Sequence, residues 1–418
     1  MRILIRCLIL FFFLPFTTSA QEEYTFDLSA IEKKKLQIGG YVEFRSVLLG
    51  LNSDSQFYKL RFFNTDEGES ISEYNFNALL DGSYQTGIFK AKVRTNSIIT
   101  KSFTGWTHNT SLYEAFLSVK PSHSLGIDIG KKRLKWGKGY AWNPVAFIDR
   151  PKNPNDPELA LEGLVVISMN YIKSFQGKLK TISITPVILP VFDSINSDFG
   201  KHRKLNYGGK VYFLFYDTDI DIMFLSGGSL PAQYGIDFSR NLASNLEVHG
   251  ELAYIPEYDK EHSTSFLLGI RFLTPKDTTF FLEYYKNRKG FSSLEMQDYY
   301  SQIEQAYQVF LQSGDESLLN SLAGTSDPAY RLSAPMRDYL YLRVSQKEPW
   351  GILYFFPSIT TIFNITDQSF SLAPELLYNP LTNLEIRAKI TIMIGNKGSE
   401  FGEKQNDFRL EFRGRYYF

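Results

Sequence analysis

The residues of this chain that could do chemistry are mainly arginines and lysines repeated at every second position. In DFRLEFRGRYYF, Asp407 to Phe418, the polar side chains Arg409, Glu411, Arg413 and Arg415 alternate with Phe408, Leu410, Phe412, Gly414 and Tyr416. Arg387 and Lys389 alternate in the same way with Ile386, Ala388 and Ile390, and Lys90, Lys92 and Arg94 with Phe89, Ala91 and Val93. Cations repeated along one face attract and steer anions. A second dense stretch, GKKRLKWGKGYAWNPVAFIDRPKNPNDP from Gly130 to Pro157, mixes lysines, tryptophans and prolines. A phosphate-binding Walker loop needs four residues between its first Gly and its Gly-Lys, then Ser or Thr. Here Gly126 and Gly130 have three between them and Lys132 follows Lys131, so that reading fails. His108, His123, His202, His249 and His262 are scattered at no metal-binding spacing. Nothing marks a nucleophile, so neither an enzyme nor a metal or cofactor site is expected. His249, between Glu247 and Glu251, reads as part of a solvated polar face. Zero net charge gives no general pull toward nucleic acid, which is not expected as a partner.

The elements that must position these residues are strands. Strict period-two alternation gives a strand one apolar and one polar side. It recurs at Leu246, Val248, Leu252 and Tyr254 against Glu247, His249 and Glu251, and at Phe266, Leu268, Ile270 and Phe272. A soluble sandwich also alternates, so two further features decide. The strands have the length, about 9–12 residues, that a tilted strand needs to cross the hydrocarbon layer. Connectors alternate between short and long. PSHS, SFQGK, YDTD, TPKDT and NPLTN are short, whereas residues 98–108, 134–162, 191–202, 288–336 and 395–406 are long. An aromatic share of 16% suits belts at two membrane interfaces.

Residues 1–20, MRILIRCLILFFFLPFTTSA, read as a secretory leader: a basic start, an apolar run too short to span a bilayer, then small residues. The chain after the leader, from Gln21, contains no cysteine, which excludes disulfide scaffolds and thiol chemistry. The expected fold is therefore all-β, a transmembrane antiparallel β-barrel in the outer membrane of a Gram-negative type cell. Residues 21–36 form a periplasmic tail and residues 37–418 the barrel, with short periplasmic turns and long external loops. Reading the weakest strand candidate, Gln56–Phe63, as loop leaves eighteen strands, with sixteen as the other count. Within 288–336, Tyr299, Ile303, Ala306, Tyr307 and Phe310 recur at helical spacing. That helix lies on the rim or packs into the mouth as a lid.

The dense stretch then reads as structure. Alternation at Leu125, Ile127 and Ile129 slips after Gly130, as at a bulge. Pro144, Pro151, Pro154 and Pro157 stiffen the loop beyond that point. The loop is therefore expected to fold inward and narrow a pore, with Trp136, Tyr140, Trp142, Asp149 and Arg150 at the constriction. Gly130-Lys131 followed by Trp136-Gly137, with Asn143-Pro144 and Pro154-Asn155-Asp156-Pro157, resembles the pattern of the alginate-export family and related large porin-like barrels. The chain also ends, at Phe418, in the manner of bacterial outer-membrane proteins. The resemblance implies an outer-membrane channel for solute or an anionic polysaccharide. The polar strand faces place Arg45, Lys90, Lys92, Arg94, Arg387, Lys389, Arg409, Arg413 and Arg415 along the pore, with fewer acids. Closure would bring Arg45 beside the last strand. These cations either bias the pore toward anions or pair with the acids and keep the lumen wet. Expected partners are outer-membrane lipid and lipopolysaccharide, the barrel assembly machinery, and a small or polymeric anionic solute. The alternative function is a non-conducting barrel whose loops bind a polysaccharide or protein.

Overall fold

Strands with one apolar and one polar face lose both open sheet edges when they close into a cylinder. The computed structural model, which describes residues 35–65, 67–258, 261–323 and 334–418, takes this form. The expected leader and residues 21–34 of the expected tail lie outside the described residues. Eighteen strands form one antiparallel sheet, each paired with its neighbours in sequence. It closes where β1 (Leu36–Leu51) meets β18 (Asn406–Tyr417), with Arg45 opposite Arg413. Gly40 and Phe418 exchange two backbone hydrogen bonds of 3.1 Å at this seam. The barrel has eighteen strands, not sixteen.

Alternation sorts the two faces. On β18, Leu410 and Phe412 are 44% and 49% exposed, whereas Glu411 and Arg413 are 6% and 4% exposed. The exterior is a wall of Leu, Ile, Phe and Tyr suited to hydrocarbon, and the charges point inward. Turns such as 87–88, 216–217 and 382–383 gather at one end; connectors 52–69, 133–163, 192–203, 287–337 and 395–405 gather at the other.

Three local expectations change. Residues 98–108 are no long connector. β3 (Phe89–Ser102) and β4 (Gly105–Val119) continue to a tight turn at Phe103 and Thr104, and Gly105 supplies its positive φ of 113°. The ladder does not slip after Gly130, which keeps β5 (Leu125–Lys132) in register with β4. Gly130 holds φ at 126°, and a Cβ there would sit 2.3 Å from the Ala115 carbonyl oxygen. The β3–β4 ladder does shift register, between Arg94 and Thr95. Strand lengths also vary more than expected, from 8 to 17 residues.

Gln56–Phe63 is indeed loop. It contains α1 (Gln56–Phe62), started by Ser55, whose hydroxyl accepts from the Tyr58 N–H at 3.2 Å. Connector 287–337 holds α2 (Ser293–Ser313), opened by a capping box of Ser292 and Glu295 and closed by Gly314 in the left-handed region. Its buried residues Met296, Tyr300, Ile303 and Ala306 share one apolar cluster with Trp142, Leu267, Tyr339 and Tyr341. The two tyrosines Tyr339 and Tyr341 point into the barrel, so α2 packs into the mouth instead of along the rim. Lys59 and Glu304, 2.6 Å apart, tie α1 to α2.

Candidate functional site

The basic residues of the last strands meet on the inner face. β17 (Leu384–Ile394) pairs with β18 so that Arg387 opposes Arg413, and β1 sets Arg45 against Arg413 from the other side. Three guanidiniums in a row repel one another, so carboxylates must separate them. Glu411 lies 2.8 Å from both Arg409 and Arg413, and Glu43 lies 2.5 Å from Arg415. Glu375 approaches Arg343 at 3.4 Å, Arg387 at 3.7 Å and Lys389 at 4.0 Å. Arg45 makes no ion pair among the described residues, and its Nε is buried without a hydrogen-bond partner. Lys90, Lys92 and Arg94 stand apart on β3, three strands away. There Lys92 pairs with Glu114 at 3.0 Å, and Arg94 bonds Asp81.

Connector 133–163 supplies the opposite side. It leaves the wall after Lys132, crosses the interior and returns at Leu164, the first residue of β6 (Leu164–Ser174). Its tip reaches the arginine row: Asp156 lies 2.9 Å from Arg413 and 3.8 Å from Arg387, and Lys389 donates to the Asn155 carbonyl at 2.6 Å. Tyr140 stacks on Phe281 with ring centres 4.4 Å apart, and its hydroxyl donates to Glu158 at 3.3 Å. The other residues expected at a constriction make contacts of their own. Trp136 is buried in one apolar cluster with Val145, Ile148, Leu164 and Val166, and Trp142 packs on Tyr285 and Tyr339. Asp149 accepts from the N–H groups of Leu134 and Trp136 at 3.1 and 2.8 Å. Arg150 turns to the neighbouring loop, 2.5 Å from Asp198.

Two chambers adjoin this contact. The smaller, about 100 Å³, is lined by Arg45, Arg387, Lys389, Arg409 and Arg413 together with Asp156, Glu375 and Glu411. The larger, about 410 Å³, opens toward the turns and is lined among others by Tyr140, Arg271, Phe281 and Arg343. Both are lined by Asn155, Asp156, Glu375 and Arg387, so that group lies between them.

Burial pushes the Asp156 carboxyl up, but Arg413 and Arg387 outweigh it and hold the group below the ordinary aspartate range. A depressed folded value means the contact contributes fully above about pH 3.9 and is lost as pH falls through the folded value. Hydrogen-exchange protection of residues 153–160 is therefore expected to stay flat from about pH 7 to about pH 5. Asp156→Asn should lower it at neutral pH. Protection that decays already over that range would contradict the assignment.

No protein-family model matches this chain, and no curated protein matches it. Among solved structures it is similar to Pseudomonas aeruginosa OpdQ: 10% identity, 92% of this chain and 97% of that one, TM-score 0.52. It is also similar to Pseudomonas aeruginosa OprD: 11% identity, 93% and 96% covered, TM-score 0.51. This is a porin-like β-barrel fold. At that identity the likeness carries the architecture alone, and the interior of this porin-like barrel has to be read from its own residues.

Reading the sequence missed the loop tip, Asn155, Asp156 and Glu158, and misjudged the polar face around His249. His249 and Glu251 are each 3% exposed, so only the Glu247 end of that face, 27% exposed, meets solvent. The available signal was Gly137-Lys138-Gly139, whose small residues let backbone N–H groups approach an anion. That anion is on the wall itself.

Proposed function

We propose that this chain is an outer-membrane channel for small hydrophilic solutes, with connector 133–163 as its constriction. The contact of loop Asp156 with wall Arg413 and Arg387, at the junction of the two chambers, carries this reading. A rigid acidic tip set against a basic wall leaves a narrow polar passage with a strong transverse field. The smaller chamber has five cations against three carboxylates in its lining, which supports a bias toward anions. Arg45, Arg409, Arg413, Arg387 and Lys389 are its contacts for solute; Arg415, Lys90, Lys92 and Arg94 line the wall beyond it. A chamber of about 100 Å³ suits small solutes better than polymers. The polysaccharide reading rests on the sequence pattern alone. In this proposal outer-membrane lipid, lipopolysaccharide and the assembly machinery are the partners of the barrel.

Planar bilayers test the proposal. The purified protein should give discrete current steps, with a reversal potential displaced toward anion preference in a salt gradient. Folded protein that inserts without current would instead support a non-conducting barrel whose loops bind a partner. The apolar cluster that α2 brings into the mouth favours that second reading.

A further inference from the structure

We propose that Glu251 and Glu283 are the positioning residues of the constriction: two wall carboxylates that latch residues 138–145 and thereby set the aperture. The inference rests on the constriction reading above. Both are on the inner face, Glu251 on β11 (Leu246–Tyr258) and Glu283 on β13 (Thr278–Lys286), 3% and 0% exposed. A carboxylate buried that deeply must be hydrogen-bonded or paired. Here the loop provides most of the donors. Glu251 Oε1 accepts from the Lys138 and Gly139 N–H groups at 2.6 Å each and from Asn143 Nδ2 at 3.0 Å; Oε2 faces the Val145 N–H at 3.3 Å. Glu283 accepts from the Ala141 N–H at 2.9 Å and from the Tyr140 N–H.

The dependence is mutual. Consecutive N–H groups pointing one way form a concave anion site, and a charged acceptor strengthens each bond. A Cβ on Gly137 would lie 2.8 Å from Glu251 Oε1, and one on Gly139 would lie 2.1 Å from the Trp142 carbonyl oxygen. Gly-Lys-Gly is thus an anion cradle filled by the protein's own carboxylate. The lysine between the glycines extends the grip, with Lys138 Nζ 2.8 Å from Asp221. On the wall side, His249 reaches over Gly269, whose missing side chain makes room, to place Nε2 2.9 Å from Glu283. Two consecutive pairs of loop N–H groups therefore face two carboxylates on a rigid sheet.

Glu251→Gln and Glu283→Gln keep the size and remove the charge, and retained heat-modifiable mobility on gels reports an intact barrel. Trypsin cleavage after Lys138 and Lys152 should rise about tenfold, as expected for losing charge-assisted bonds. Single-channel conductance should increase and become noisy. Gly139→Ala, which alters the loop and leaves the wall unchanged, should do the same. Glu73→Gln, whose carboxylate accepts from Asn75 and not from the loop, should behave as wild type. In a barrel lacking residues 135–161 the Gln variants should no longer change conductance, because a positioning residue has nothing left to position. Wild-type protection in both Gln variants overturns the proposal, as does a conductance change that persists without the loop. A wild-type protein that passes no current defeats the channel reading, while the cleavage rates still decide whether the latch exists.

Discussion

Excising residues 135–161 and joining the stems with a short Gly-Ser linker should raise single-channel conductance severalfold. The stems permit this. Gly163 stands so close to Lys132 that a Cβ on it would lie 2.4 Å from the Lys132 carbonyl carbon. Lys132 and Leu164 already face each other in the β5–β6 ladder, so a linker adds no strain. The deletion removes the Asp156 tip at Arg413 and Arg387, together with Tyr140 on Phe281. The two chambers would merge, and the carboxylates that held the loop would meet lumen water. Substitutions on the lumen side tune a barrel, whereas charges on the lipid side destabilise it, so assembly should survive. Unchanged conductance in the deletion would mean that the limiting passage lies elsewhere, and the α2 cluster in the mouth would become the element to remove.

Replacing Arg409, Arg413 and Arg415 together with Gln should move the reversal potential in a salt gradient toward cation preference. The smaller chamber would drop from five lining cations to three, against three unchanged carboxylates. Arg413 also neutralises Glu411 and Asp156, and Arg415 neutralises Glu43 at 2.5 Å, so those acids would gain influence over passing ions. Fields in wet pores fade over about 8 Å at physiological salt, which is why the clustered triple change is needed. Identical reversal potentials in wild type and variant would assign the arginine row to holding the loop alone.

Much of this architecture was legible in the sequence because its cause is local. A two-residue period needs only neighbouring positions, so Arg409, Glu411, Arg413 and Arg415 could be set on one face of β18 without knowing what they touch. The rhythm of short and long connectors separated turns from loops except at 98–108, where strands continue to a tight turn, and the helical spacing of Tyr299, Ile303 and Ala306 located α2. Closure even placed Arg45 beside the last strand, and the register that sets it opposite Arg413 came with the structure. Alternation cannot reveal which partner a charge meets. Glu251 looked like a solvated wall residue because its partner, the Lys138 N–H, lies 113 positions away. Asp156 looked like part of a proline-rich connector, and only the path of the loop across the lumen sets it on Arg413, 257 positions on. Strand faces follow from the backbone pleat and are written residue by residue. The course of a loop follows from which buried carboxylates must find donors, and that demand exists only once the barrel has closed around it.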